Sequence, residues 1–195
     1  MLAPALGAFV ETLDGLVRAS GPEVDVVALT DRLRPHLAWL LEQASWLDVR
    51  RRRVVDEGQP AAHLLARAHD DAWAVFSVVL PPRHSTPVHD HLTWGLVGVH
   101  EGIEEETAYE RLDAGDRPGF ARLRAMETTR NGPGFVSCVV PPAREIHRIH
   151  NPLGVASCSI HVYGRDIDRI TRHRYEPEQD AVFEFSSAGI TSRDA

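Results

Sequence analysis

The sequence predicts a mainly β protein, a sandwich or barrel of short antiparallel strands preceded by α-helices. Two observations carry that expectation. Apolar residues recur at helical spacing over roughly the first 56 positions. From about residue 60 the chain breaks into short runs rich in Val, Phe and Ile, with Pro and Gly between them. Many short strands with frequent turn signals point to antiparallel pairing and away from a parallel sheet with crossover helices.

Each element follows in chain order. Leu2, Leu6, Phe9, Val10, Leu13, Leu16 and Val17 fall on one helical stripe, with Glu11 and Asp14 outside it. Ser20-Gly21-Pro22 stops that helix. A second stripe runs through Leu29, Leu33, Leu37, Leu40 and Leu41, interrupted by Pro35. The run Arg50 to Arg53 reads as a solvated helix end, where cations offset the helix dipole. Strands are expected over Ala72 to Leu80, Trp94 to His100, Glu104 to Tyr109, Ala121 to Met126, Phe135 to Val140, Ala156 to Tyr163 and Val182 to Phe185. Asp113 to Gly119 and Asn131 to Gly134 are the clearest loops. The expected organisation is a helical segment over residues 1–56 packed on a β-barrel over 57–195, one structural unit.

Composition narrows the function. Among 195 residues, 28 acidic side chains against 21 basic ones leave a net charge of −7, which argues against a dedicated nucleic-acid binder. No stretch approaches the length of an apolar membrane span, and the N-terminus lacks the pattern of a secretory signal. Cys138 and Cys158 are too few for a disulfide framework, so a reducing cytoplasm is expected, with both thiols acting as small hydrophobes. Every basic side chain is Arg, which removes Lys chemistry, and there are 11 His.

The placement of the histidines is informative. In Pro87-Val-His89-Asp-His91-Leu-Thr-Trp94-Gly95, a strand would turn His89 and His91 to the same face, where they can share a metal ion. Two His on a solvent-facing strand edge would show the same spacing. Downstream, Pro142-Ala-Arg-Glu-Ile-His147-Arg-Ile-His150-Asn151 precedes the last long strand. Residues 70–165 resemble the cupin superfamily, whose first motif supplies H-x-H and whose second supplies a later His with an Asn four residues on. Here those are His89 and His91, then His147 with Asn151. Gly95 and Leu96 stand where common cupins place a Glu ligand, and Arg144 where many have Gly. The resemblance implies a double-stranded β-helix, a jelly-roll-like barrel. A divalent metal on three neutral imidazoles keeps its full charge and, if octahedral, three adjacent open positions. Imidazole suits iron, zinc, copper or nickel alike, so zinc Lewis-acid chemistry competes.

Ser159-Ile-His161-Val-Tyr163 favours redox chemistry. In a strand Ser159, His161 and Tyr163 share one face, and buried polar groups need partners. A chain in which Ser159 orients His161 and His161 orients the Tyr163 phenol satisfies all three. A serine-hydrolase reading fails, since neighbours on one strand place no nucleophile at a sharp elbow and no G-x-S-x-G occurs.

Taken in order, H-x-H, the later His and S-x-H-x-Y resemble the thiol dioxygenases, the cysteine dioxygenase family with its bacterial 3-mercaptopropionate branch. The likeness runs from about residue 60 to residue 178. It implies Fe(II) held by His89, His91 and His147, and Ser159, His161 and Tyr163 as a relay beside a small thiol substrate and dioxygen. Gly95 stands where animal members carry a Cys cross-linked to the Tyr, so Tyr163 is expected unmodified. Pro60-Ala-Ala-His63-Leu-Leu carries neither the Arg nor the Gln that relatives place on the strand entering the barrel. The mercaptopropionate branch places an Arg nine residues beyond the Tyr, which is Arg172 here, with Arg165, Arg169 and Arg174 nearby. A guanidinium suits a carboxylate because it pairs in a bidentate fork. Trp94 either walls the pocket or fills the core. The competing readings are cysteine dioxygenase proper, a cupin isomerase or hydrolase on another divalent metal, and a metal-free sensing cupin.

Overall fold

The computed structural model describes residues 2–21, 23–54, 58–186 and 191–192. Two helices, α1 (Pro4–Ser20) and α2 (Val26–Glu42), precede twelve strands. These are β1 (Ala61–Arg67), β2 (Ala74–Leu80), β3 (Val88–His89), β4 (Gly95–Glu101), β5 (Glu104–Arg111), β6 (Leu123–Asn131), β7 (Val136–Val139), β8 (Ile146–His150), β9 (Ser157–Tyr163), β10 (Arg172–Glu176), β11 (Ala181–Phe185) and β12 (Thr191–Ser192). They form two six-stranded sheets, ordered β12-β1-β2-β9-β4-β7 and β11-β10-β3-β8-β5-β6. Within them β2 to β9 make the jelly roll: β2-β9-β4-β7 faces β3-β8-β5-β6. The fold is therefore the double-stranded β-helix with N-terminal helices that the sequence predicts. Only the β1–β12 pair is parallel among the described strands.

The helices cover the outer face of the first sheet. Leu33, Leu37 and Leu40 pack in one buried cluster with Val75, Leu96, Ile160 and Val162. A Cβ at Gly98 would lie 2.7 Å from Leu41 Cδ1, so α2 sits directly on the backbone of β4. Asp25 caps α2 by accepting from Ala28 N–H at 3.0 Å. Contrary to the expected interruption, α2 runs unbroken through Pro35. Burying the side chains of Leu29, Leu33, Leu37, Leu40 and Leu41 contributes roughly 1.5–3 kcal/mol each, which outweighs the roughly 3 kcal/mol cost of an internal proline.

Other differences are local. The Arg run is a 3-10 turn, Val49–Arg52, not the end of an α-helix, with Arg50 paired to Asp48 and Arg52 to Glu101. Five strands escape the sequence reading: β1, β3, β8, β10 and β12. The expected segment boundary at residues 56 and 57, and Pro22 of the stop signal, lie outside the described residues. Among the described residues no helix is long and apolar enough to cross a membrane.

Candidate metal centre

The inner faces of the two sheets meet around three imidazoles. His89 closes β3 and sits in register opposite His147 on β8, while His91 lies two residues beyond the end of β3. The ring centroids are 4.8, 4.9 and 4.8 Å apart, nearly an equilateral triangle. One ligand atom from each lies within 4.8 Å of the others.

Hydrogen bonding fixes which nitrogens face inward. His89 Nδ1 meets the Pro87 carbonyl at 3.0 Å and His91 Nδ1 meets the Glu145 carbonyl at 2.9 Å. His147 Nδ1 meets Glu106 Oε1 at 2.7 Å. Carbonyl and carboxylate oxygens only accept, so each Nδ1 carries the proton and each Nε2 presents a lone pair. Burial holds His89 and His91 well below the ordinary imidazole range, hence neutral. Buried Nε2 atoms of His91 and His147 have no hydrogen-bond partner. Converging lone pairs without a donor are unfavourable unless a cation lies between them, so this set fits a divalent metal ion. Burial is the largest single influence and pushes the Glu106 carboxyl up, but the hydrogen bond from His147 and the pull of His147, Ser137 and His161 together hold Glu106 below its ordinary value. Such a partner fixes ring orientation and makes the imidazole a better ligand.

The facing strand β9 brings the relay. Ser159 Oγ lies 2.9 Å from His161 Nε2, and His161 Nδ1 lies 2.7 Å from the Tyr163 hydroxyl. All seven residues of β9 are buried, yet its two faces differ. Cys158, Ile160 and Val162 turn outward into the core beneath the helices. Ser157, Ser159, His161 and Tyr163, at the alternate positions, turn to the interior. Burial pushes His161 down to about 3 and the Tyr163 phenol up, so both are neutral at ordinary pH. The Tyr163 ring stacks on His91 at 5.2 Å, which brings the relay against the imidazole triangle.

A cavity of about 130 Å³ opens between the sheets. His89, His147, Ser159, His161, Tyr163 and Arg172 line its polar side, and Ala62, Val78, Leu80, Ile149, Ile167 and Phe185 its apolar side. No Asp or Glu lines it among the described residues. Arg172 is buried, donates to the Asp90 carbonyl at 2.9 Å and stands 5.2 Å over the Phe185 ring. Of the other nearby arginines, Arg165 is exposed, Arg169 pairs with Asp71 at 2.6 Å, and Arg174 pairs with Glu176 at 2.8 Å. Trp94 is a core residue: its indole lies over Gly164 and away from the cavity lining. Asn151 holds the loop after β8, its amide donating to the carbonyls of Leu80, Pro81 and Val155. Of the two thiols, Cys158 is buried in the helix-facing core, and half-buried Cys138 accepts from Arg34 at 3.2 Å.

Glu104 and Glu106 are the site residues sequence reasoning missed. The signal was the alternation in Glu104-Glu105-Glu106, which turns two carboxyls inward from one strand. No protein-family model matches the chain. Its structural neighbours are cupin proteins. One is oxalate oxidase in complex with the substrate analogue glycolate, with TM-score 0.44 and 13% identity, covering 58% of this chain and 54% of that one. This chain thus spans about half the length of that oxidase. Another is a cupin superfamily protein from Desulfitobacterium hafniense, with TM-score 0.44, 16% identity and coverage of 64% and 94%. A third is a Cupin 2 conserved barrel domain protein from Salinispora arenicola, with TM-score 0.41, 17% identity and coverage of 62% and 87%.

Proposed function

We propose that the protein is an Fe(II)-dependent thiol dioxygenase. It would convert a small carboxylate-bearing thiol of the 3-mercaptopropionate type to its sulfinic acid, adding both atoms of dioxygen to sulfur. The observation that carries this reading is one cavity lined by His89, His147, a hydroxyl relay and a buried guanidinium, with His91 completing the imidazole triangle beside it. Iron, when held by His89, His91 and His147, supplies acidification of the thiol and a one-electron route between sulfur and dioxygen.

The chain's own residues bind and orient. Arg172 offers a planar fork for the carboxylate, fixed by its bond to the Asp90 carbonyl. The apolar walls of Val78, Leu80, Ile149 and Phe185 exclude water and strengthen that pairing. Tyr163 places its hydroxyl at the cavity surface, where it hydrogen-bonds substrate or dioxygen, and His161 holds its orientation. Among the described residues the lining offers no carboxylate to partner an ammonium group, which favours a thiol acid over cysteine.

The test is metal analysis with an oxygen electrode and a thiol panel. Iron-loaded protein is expected to consume one dioxygen per 3-mercaptopropionate and to release sulfinate, with L-cysteine a poorer substrate. An iron-loaded protein that oxidises no carboxylate-bearing thiol overturns the reading. Replacing Arg172 by Lys keeps the charge but removes the fork, and KM is expected to rise about tenfold with kcat little changed.

A further inference from the structure

The row of interior groups on β9 does not end at Ser159. Glu104, on β5, is buried against its inner end and accepts from Ser157 Oγ at 2.9 Å; Ser159, the next inward residue of β9, favours its ionised form. We propose that Glu104 is a positioning residue that sets the direction of hydrogen bonding along Ser159, His161 and Tyr163. It thereby decides whether the Tyr163 hydroxyl donates into the cavity or back to His161. The cavity role of Tyr163 rests on the function proposed above; the switch itself is argued from the Ser157–Glu104, Ser159–His161 and His161–Tyr163 hydrogen bonds, with Ser159 as the inferred link to Glu104.

Counting protons gives two arrangements. His161 is neutral and carries one proton, Tyr163 keeps its own, and each hydroxyl donates one bond. When Glu104 is protonated, one oxygen accepts from Ser157 and the other donates to Ser159. Ser159 then donates to His161 Nε2, His161 Nδ1–H donates to the Tyr163 oxygen, and the phenolic proton points into the cavity. When Glu104 is ionised, both oxygens accept, so Ser159 turns its proton to the carboxylate. His161 must then donate from Nε2, and its bare Nδ1 takes the Tyr163 proton away from the cavity. One proton on one carboxyl reverses three hydrogen bonds.

The surroundings put this change in an accessible range. Burial pushes the Glu104 carboxyl up to about 7, and Ser157 and Ser159 oppose that only in part. The groups facing it are Glu106 on its own strand, Asn131 in register on β6, and Ser157, Cys158, Ser159 and Tyr163 on β9. Asn131 bonds Glu106 and Ser137 on β7 faces it, while Glu101 and Arg52 act from beyond Cys158. Glu106 raises Glu104 further by like charge.

The direct test is nitrogen NMR of the full-length chain, labelled at histidine and loaded with diamagnetic zinc. In the wild type the His161 resonances are expected to change from the Nδ1–H to the Nε2–H tautomer between about pH 6 and about pH 8.5. Glu104→Gln mimics the protonated acid, since its amide donates to Ser159 while its carbonyl accepts from Ser157; it is expected to hold Nδ1–H at both pH values. A wild-type His161 with one tautomer throughout overturns the proposal, as does a Gln variant that switches like the wild type. Should that variant not fold, the wild-type titration decides alone. In thiol oxidation, kcat of the wild type is expected to fall about tenfold across the same range and that of Glu104→Gln to stay level. Superimposable profiles overturn the coupling to turnover. Absence of thiol oxidation in both proteins refutes the proposed function and leaves the tautomer result to judge Glu104.

Discussion

The two sheets contribute to the cavity in opposite ways. The sheet carrying β9 is roofed by α1 and α2, so its outward residues are apolar and its inward ones are free to be polar. The sheet carrying β8 has no helix over it, and β6 at its edge is largely exposed and tied by surface pairs such as Arg130 with Glu105 at 3.0 Å. Pairs of that kind contribute little to stability. What steadies this second sheet near the site is buried Asp90, which accepts from His173 N, His173 Nδ1 and the Tyr175 hydroxyl at 2.8, 2.7 and 2.8 Å. His89, His147 and Arg172 come from this sheet, and Ser159, His161 and Tyr163 from the roofed one. Ligand set and relay thus belong to separate layers, one fastened by polar contacts and the other by hydrophobic burial. Damage to one should leave the other standing.

Substitutions can break that separation, and the largest effect is expected from His147→Ala. Two imidazoles hold iron weakly, so iron content should drop from one per chain to near zero, with thiol oxidation lost and β9 still folded. Full iron retention would remove His147 from the ligand set. On the other layer, Tyr163→Phe should keep its iron while kcat falls roughly 100-fold. Unchanged turnover would exclude the phenol from the chemistry.

Leu37→Ala attacks the roof. Deleting this fully buried side chain should cost about 2–5 kcal/mol in denaturant unfolding, yet leave iron per folded chain unaltered. Loss of iron in the folded variant would show the layers to be coupled.

The smallest effect concerns pH. Because the folded Glu104 carboxyl titrates at about 7 against an ordinary 4.5, its contribution to stability is complete below the ordinary value. It is lost as pH rises through about 7. Relative to Glu104→Gln, the wild type should therefore lose at most about 3 kcal/mol between acidic and mildly alkaline pH. Thermal melts of both proteins across that range measure the difference.

How much could be read from the sequence follows that division only in part, since β1 and β12 of the roofed sheet were missed and β5, β6 and β11 of the other were legible. Strands whose outward faces meet the helices, such as β2, β4 and β9, place Val, Ile or Leu in runs or at alternate positions and were legible. The missed β8 and β10 read Ile-His-Arg-Ile-His and Arg-His-Arg-Tyr-Glu, where His147, Arg148, Arg172, His173 and Arg174 interrupt the buried Ile146, Ile149 and Tyr175. Apolar periodicity fades where a strand serves chemistry instead of the core. The three imidazoles and the β9 row were legible because side-chain spacing in a strand is a local property. Glu104 and Glu106 were not, because their partners lie on β9 and β8 and only the jelly-roll topology brings those strands together.

One further consequence lies in Gly95. It pairs with Tyr163 in register, and a Cβ there would fall 2.6 Å from the Tyr163 ring carbon Cδ1. The phenol therefore lies against bare backbone, held by packing and by His161 alone. With no sulfur at residue 95, no oxidative tether can form, and the chain has nothing to mature at this position. Freshly folded and long-used molecules should be chemically identical here, so catalytic rate should carry no memory of past turnovers.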